Sequence, residues 1–144
     1  MIVVTERGIA QSISTLALLA RRLDNAEPLM HQIGAMLSNS TVERFHTAKD
    51  PDGQPWQPLK PATILRKGHD KILVDSGGLM DSITFTSGRL SARVLATDPN
   101  PGKVAAHQFG NPAKNLPQRA IFGISAKDRE DINTLTLLWM EQGT

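Results

Sequence analysis

The chain has 144 residues, of which 40% are hydrophobic and 21% are charged, and its formal net charge is +2. This length favours one domain, residues 1–144, around a single core. Because the sequence has no cysteine, disulfides and thiolate metal sites are excluded. The N-terminus lacks a signal-peptide pattern and no run of about 18 apolar residues occurs, so a cytoplasmic protein without a membrane segment is expected.

The first third of the chain has the pattern of a short strand and two helices. Residues 1–6 are rich in Ile and Val, which predicts a strand. After Gly8 a first helix is predicted by apolar residues spaced three and four apart, namely Ile9, Ile13, Leu16, Ala17, Ala20 and Leu23. A long second helix is predicted from Pro28 to about Thr47, capped by Asp24 or Asn25. Its buried stripe would be Leu29, Ile33, Met36, Leu37 and Phe45, and Gly34 would weaken it by about 1 kcal/mol.

Prolines dominate the next segment. Between residues 48 and 61 there are four prolines and one glycine, which hold the backbone in turns. Burial of Trp56 and Leu59 would fix this loop to the body of the protein. One helical turn is predicted for residues 61–67, and the polar residues 67–71 that follow are predicted to be mobile. The sequence Ser76-Gly77-Gly78 indicates a turn leading into a helix.

The second half of the chain predicts a hairpin and a final helix. Residues 83–96 alternate in polarity around a turn at Ser87-Gly88. Pro99-Asn100-Pro101-Gly102 would end the hairpin, and residues 103–124 are predicted to be loop with an extended piece at 120–124. Ser125 and Asp128 have capping-box spacing. The buried stripe of the final helix would be Ile132, Leu135, Leu138 and Trp139.

These elements predict an α+β fold. A small, mostly antiparallel sheet of about four strands would be covered on one face by the long second helix. The C-terminal helix would lie beside that helix.

No complete catalytic or metal-binding set occurs in the sequence. Ser76 and His107 suggest a serine hydrolase, but the trypsin-like arrangement needs two barrels and a histidine that precedes the serine. The separation of the two side chains would decide this remote alternative. The Asp50-Pro51-Asp52 sequence lacks the later ligands of an EF-hand, and the histidines lack metal-ligand spacing. The sequence therefore predicts no enzymatic activity, no cofactor and no metal.

Charge is unevenly distributed along the chain. Residues 60–119 carry nine Lys or Arg against four acids, whereas residues 120–144 carry two against four. A solvated surface is the simplest interpretation, although ends of opposite charge also suit head-to-tail contacts. A loose contact with a DNA backbone would use Lys60, Arg66, Lys67 and Lys71. There are no interleaved aromatic residues to stack bases and no recognition helix.

Several segments, taken in order, resemble the phage virion morphogenesis family, which includes the G protein of Mu-like phages and phage tail completion proteins. They are Ile33-Gly34 with Arg44-Phe45, Pro51-Asp52-Gly53-Gln54-Pro55-Trp56-Gln57-Pro58-Leu59, Leu73 to Ile83, His107-Gln108-Phe109-Gly110, and Arg119 to Ser125. Two positions depart from the family pattern. Val104-Ala105-Ala106 stands where a larger apolar residue is usual, and Arg119-Ala120-Ile121 replaces Arg-Pro-Phe.

The resemblance implies a structural protein of a bacteriophage or Mu-like prophage, located at the neck or the head-proximal tail end. Its role would be tail completion or termination and head–tail joining, in the virion and, during assembly, in the host cytoplasm. Similar proteins form rings, commonly hexamers, so the expected partners are further copies, the tail tube and neck or connector proteins. The alternative is a connector whose channel contacts DNA.

The resemblance and the composition together indicate residues that hold the structure or meet neighbouring subunits. These candidates are Trp56, Leu59, Leu73, Leu79, His107, Gln108, Phe109, Gly110, Arg119 and Phe122. We expect Trp56, Phe109 and Phe122 to be anchors. His107 and Gln108 are expected to hold the loop through hydrogen bonds, and Arg119 to bridge to an acidic neighbour.

Overall fold

A computed structural model describes the backbone of residues 6–142 and the side chains of residues 13–142. The predicted N-terminal strand falls outside the described residues except for Glu6, which begins a helix. The elements in chain order are α1 (Glu6–Asp24), α2 (Glu27–Thr47), α3 (Pro61–Lys67), α4 (Gly78–Asp81), β1 (Ile83–Ser87), β2 (Ala92–Ala96), α5 (Pro101–Phe109), a 3-10 turn (Pro112–Lys114) and α6 (Ala126–Glu141). The described part of the chain is therefore an α+β fold with six α-helices.

The sheet is the predicted antiparallel hairpin of β1 and β2. Phe85 of β1 lies opposite Val94 of β2, and the Gly88 N–H donates to the Ser91 carbonyl at 2.8 Å to close the turn. Among the described residues the sheet has these two strands, fewer than the predicted number of about four, and the predicted strand at residues 1–6 lies outside them except for Glu6. Residues 120–124 form neither helix nor strand, and Gly123 lies in a bend. The N–H groups of Ile121 and Phe122 bind a glutamine side chain instead of a strand partner.

The long helix α2 packs against the sheet, and α6 lies beside α2, as predicted. Gly34 is buried where α2 meets β1. A Cβ atom at this position would lie 2.5 Å from Cδ2 of Phe85, whose ring contacts His31 edge-on at a centroid distance of 5.0 Å. The glycine that was predicted to weaken the helix is therefore what allows the strand to approach it.

Two clusters of buried apolar side chains form the core. The first lies between α6 and the N-terminal half of α2 and contains Ala26, Leu29, Ile33 and Trp139. The second surrounds the C-terminal end of α2 and contains Phe45, Trp56, Leu79 and Ile121. Ile132 and Leu135 pack against the first cluster as predicted, but Leu138 is half exposed because α6 turns the adjacent Trp139 towards α2.

Helix α5 contradicts the prediction that residues 103–124 are loop. The Asn100 side chain accepts a hydrogen bond from the Lys103 N–H at 3.2 Å, and Pro101 occupies the first turn. Asparagine is a favoured N-cap and proline is tolerated at the first helical position. The Pro-Asn-Pro-Gly sequence that ends the hairpin therefore also begins a helix.

The caps of α2 and α6 differ from each other. Helix α2 starts after Ala26, without the side-chain cap expected from Asp24 or Asn25, although Asn25 accepts a hydrogen bond from the Glu27 N–H. Helix α6 has the predicted capping box: the Asp128 N–H donates to Ser125 Oγ, and the Ser125 N–H donates to Asp128 Oδ2, both at 2.9 Å. No helix in residues 6–142 combines the length and apolar character needed to cross a membrane.

A buried ion pair joins α2 to α6. Nη2 of Arg44 lies 2.7 Å from Oδ2 of Asp128, and both side chains are almost fully buried. The same guanidinium donates to the carbonyls of Ile121 at 2.7 Å and Gly123 at 3.1 Å. The sequence had indicated only a capping role for Asp128, and this second role ties three segments together.

The environment of Asp128 keeps its carboxylate charged. Burial acts to raise the pKa of Asp128, but hydrogen bonds from Ser40 and Ser125 and the positive charge of Arg44 outweigh it, so this pKa lies below its usual value. Ser40 Oγ donates to Oδ1 of Asp128 at 2.6 Å. Because the folded pKa is lowered, the pair stabilises the fold above the unfolded pKa of about 3.9. That contribution is lost as the pH falls through the lower, folded value.

The close approach of Gly34 to Phe85 predicts that Gly34→Ala changes the free energy of unfolding in opposite directions with and without the Phe85 ring. Gly34→Ala should lower the free energy of unfolding by about 1 kcal/mol, because the clash outweighs the gain of about 1 kcal/mol in helix propensity. In a Phe85→Ala background the clash is absent, and the same substitution should stabilise the protein. Urea denaturation of the four proteins of this cycle measures both effects. Stabilisation in both backgrounds would contradict the close approach.

The ion pair predicts that replacing Asp128 lowers the free energy of unfolding strongly and in a pH-dependent way. Asp128→Asn should lower the free energy of unfolding at pH 7 by about 3 kcal/mol, because the Arg44 charge is left buried and unpaired. The matched control is Asp131→Asn, which removes an exposed pair with Lys127 and should leave the free energy of unfolding almost unchanged. The difference between wild type and Asp128→Asn in urea titrations should shrink as the pH falls below about 4. An unchanged difference would contradict the role of this carboxylate.

Candidate functional site

The proline-rich loop, residues 50–60, is fixed to the body by Trp56. The Trp56 ring is buried edge-to-face against Phe45 with a centroid distance of 5.8 Å. Its Nε1–H donates to the Ala120 carbonyl at 2.9 Å, and its backbone N–H donates to the Ala48 carbonyl at 2.7 Å. The loop therefore has an apolar anchor with a satisfied polar tip.

Gln108 holds the extended segment, which we define as residues 118–124. Its Oε1 accepts hydrogen bonds from the N–H groups of Ile121 at 2.8 Å and Phe122 at 2.9 Å. Its Nε2 donates to the Phe122 carbonyl at 3.0 Å. The side chain thus replaces a neighbouring strand for this segment. This is the hydrogen-bonding role that the sequence analysis expected for Gln108.

The His107 side chain does not have that role. Within the described residues its Nδ1 is buried without a hydrogen-bond partner, and only the His107 backbone carbonyl binds the segment, through the Arg119 N–H at 2.8 Å. Burial lowers the pKa of His107, and the positive charges of Arg119, Lys103 and Lys67 lower it further. The imidazole is therefore neutral at pH 7.

Arg119 binds backbone carbonyls. Its Nε donates to the Gln57 carbonyl at 2.9 Å, and one terminal nitrogen donates to the Pro58 carbonyl at 3.3 Å. No acidic side chain among residues 13–142 pairs with it, so the expected bridge to an acidic neighbour is not found within these residues. The proline-rich loop leaves carbonyls without a ladder partner, and the buried guanidinium satisfies two of them.

Phe109 is not an anchor within the chain. It ends α5 with 74% of its surface exposed, whereas Phe122 is partly buried against the second core cluster. Gly110 follows with a φ of 76°, and a Cβ atom there would lie 3.0 Å from the Gln118 nitrogen. This turn requires glycine, and it leaves Phe109 facing outwards.

Helix α1 also leaves apolar side chains exposed. We define the α1 stripe as Ile13, Leu16 and Leu23, which the sequence placed on one helical face and which are all more than half exposed. The C-terminal end of α1 is held by Arg22, whose guanidinium lies 4.3 Å from the centre of the Trp139 ring, and by Arg89, which donates to the Asp24 carbonyl. The stripe is thus available on a helix whose end is attached to the core.

A cavity of about 320 Å³ opens between α3, α4, α5 and residues 115–119. We name it the basic cleft. Its cationic residues are Lys60, Arg66, Lys67, Lys103 and Arg119, and its apolar wall is Leu59, Leu73, Leu79, Leu116 and Pro117. The other polar residues of the lining are Thr63, Asp75, Ser76, His107 and Asn115. Among the described lining residues the cations outnumber the acids five to one.

The basic cleft includes three of the four residues considered for DNA contact. Lys60, Arg66 and Lys67 line it, whereas Lys71 does not, and the Lys71 carbonyl accepts a hydrogen bond from Lys67 Nζ at 2.9 Å. The sequence analysis missed Lys103 because α5 had been predicted to be loop. The asparagine-proline helix start was the signal that could have placed it.

Ser76 and His107 both line the cleft, but no hydrogen bond joins their side chains within the described residues. Ser76 Oγ instead accepts a long hydrogen bond of 3.4 Å from the Gly78 N–H at the start of α4. Activation of a serine requires a hydrogen-bonded base. The geometry gives the hydrolase alternative no support.

The anchored loop, the outward-facing Phe109 and the exposed α1 stripe are typical of a subunit that acts through its surfaces. The sequence model of the phage virion morphogenesis family matches residues 9–141, so the chain belongs to this family. No curated protein and no solved structure gives a significant match. Family membership indicates a structural bacteriophage protein that interacts with other virion proteins and suggests that it is not an enzyme.

The hydrogen bonds of Gln108 predict that its replacement destabilises the protein far more than the replacement of Gln118. Gln108→Ala should lower the free energy of unfolding by about 3 kcal/mol, because three backbone groups each lose a partner worth about 1 kcal/mol. Gln118→Ala is the control: it removes one exposed hydrogen bond and should cost less than about 0.5 kcal/mol. Urea denaturation followed by tryptophan fluorescence measures both variants. Equal losses would refute the proposed role of Gln108.

Proposed function

We propose that this protein is a subunit of a homo-oligomeric ring at the neck or head-proximal end of a phage tail. There it acts in tail completion or termination and in head–tail joining. The family match supports a role in virion assembly, and the exposure of Phe109 is the observation that carries the proposal. Exposing a phenylalanine to water costs about 2 kcal/mol relative to burying it, and association with a neighbour recovers this energy.

The position of Phe109 within its motif supports an interface role. Gln108 and Gly110, on either side, are committed to the extended segment and to the turn after α5. Phe109 is left outside this network, on a backbone that is held rigidly. A rigid, exposed aromatic side chain is the kind of residue that dominates protein–protein interfaces.

Two separate apolar surfaces favour a ring over a symmetric pair. The α1 stripe and Phe109 lie on different elements, and both are exposed. A contact that joins one surface of a subunit to a different surface of the next is heterologous, and such contacts form a ring when the rotation between subunits closes. A hexamer is the ring size that the family resemblance implies, with the tail tube and neck or connector proteins as further partners.

A second candidate function is a connector that contacts DNA. The observation in its favour is the clustering of Lys60, Arg66, Lys67 and Lys103 around one cleft. In a ring this cluster would repeat around the channel and attract phosphates. It ranks second because the cationic groups line a cavity with a leucine wall, whereas sequence-independent DNA binding uses open grooves and aromatic platforms.

The ring predicts a specific effect of Phe109→Ala. Native mass measurement of the wild-type protein, alone and mixed with purified tail tubes, should detect a ring, and the substitution should weaken assembly about tenfold or more. Its unfolding midpoint at concentrations below assembly should match that of wild type. Phe122→Ala is the contrast, since it removes a side chain packed against the core and should lower that midpoint.

Two results would argue against this function. The first is a wild-type protein that stays monomeric and ignores tail tubes at every concentration. The second is a Phe109→Ala variant that assembles as well as wild type. Binding of duplex DNA that weakens steeply with salt, without binding to tubes, would favour the connector instead.

A further inference from the structure

We propose that the basic cleft binds a short acidic peptide segment of a neighbouring virion protein, with a carboxylate beside a large apolar side chain. This inference rests on the proposed function, because it names the kind of partner that the ring subunit receives. The inference rests on two features of the cleft, its positive charge and its apolar wall.

The charge of the cleft selects an anion. Lys60, Arg66 and Lys67 belong to α3 and its start, whereas Lys103 belongs to α5 and Arg119 to the extended segment. Among the described lining residues only the Asp75 side chain opposes these five cations. Like charges gathered around a concave, partly desolvated space repel one another, and a carboxylate placed between them relieves that repulsion.

The wall of the cleft selects an anion with an apolar part. Leu59, Leu73, Leu79 and Leu116 face the same space as the cations. A free phosphate would leave this leucine wall uncovered. A volume of about 320 Å³ is at the lower end of the range of about 300–1,000 Å³ for ligand pockets, so it suits one or two side chains.

The apolar wall also favours a peptide over a nucleic acid backbone. A peptide can carry a carboxylate and a large apolar side chain on neighbouring residues, whereas a phosphodiester backbone offers the charge without an apolar group to cover the leucines.

The experiment measures binding of a designed probe to the full-length protein. The probe is a fluorescein-labelled, end-blocked peptide of alternating leucine and glutamate. One counterpart has glutamine in place of glutamate, and a second has alanine in place of leucine. Fluorescence anisotropy should show that the probe binds about tenfold or more tightly than either counterpart, because each lacks one of the two features that the cleft recognises.

Matched charge reversals locate the binding. Lys103 is exposed and lines the cleft, whereas Arg93 is exposed on β2 and is not among the lining residues. Lys103→Glu should weaken binding of the probe about tenfold or more, and Arg93→Glu, with the same change in net charge, should change it less than about twofold. Equal effects of the two reversals would mean non-specific attraction and would overturn the inference.

Competition separates the alternative occupants. Inorganic phosphate and a DNA duplex of about 20 base pairs are added to the complex of protein and probe at constant ionic strength. If the cleft is a peptide site, neither phosphate nor the duplex should displace the probe when added at a concentration near the Kd of the probe. Displacement by the duplex, with loss of duplex binding in Lys103→Glu, would assign the cleft to nucleic acid and overturn the inference.

Native mass measurement of the same preparations tests the ring separately from the peptide site. A protein that forms rings on tail tubes but does not prefer the acidic probe would overturn the peptide site and leave the proposed function standing. A monomer that ignores tubes but binds the probe through Lys103 would overturn the ring subunit and leave the cleft as a peptide site.

Discussion

The fold depends on one buried guanidinium. Arg44, near the end of the long helix, binds Asp128 at the start of the last helix and the carbonyls of Ile121 and Gly123 between them. A buried charge is tolerated only when its partners are all in place. The ion pair therefore holds α6 and the extended segment in one position relative to α2, over more than 75 residues of intervening chain.

Several elements around the extended segment are attached to it by side chains that bind backbone. Trp56 attaches the proline-rich loop, and Gln108 attaches α5. Arg119, within the segment, donates hydrogen bonds to the loop carbonyls. In the part of the chain that the structure describes, these side chains satisfy backbone groups that a third strand would otherwise pair. The same network orients α5, so that Phe109 faces outwards and Lys103 lines the basic cleft.

Neighbouring residues of a single motif have different roles in this architecture. Some fix the backbone, and others are exposed on the surface. In the His107-Gln108-Phe109-Gly110 sequence, Gln108 and Gly110 fix the backbone, while Phe109 is exposed. A subunit that must fit against neighbours benefits from this division, because an interface side chain on a rigid backbone loses little entropy on association. Belonging to the phage virion morphogenesis family is consistent with a function that resides in such surfaces.

Local patterns in the sequence determined the helices α1, α2 and α6, the hairpin and the Ser125 capping box, because helical periodicity, alternation and capping act between residues close in the chain. They also indicated the proline-rich loop with its tryptophan. Only the tertiary structure decided the pairing of Arg44 with Asp128, the need for Gly34 opposite Phe85 and the exposure of Phe109. It also decided that Lys103 joins the lysines of α3. These features depend on contacts between residues far apart in the chain, whose side chains carry no local signal of their partners.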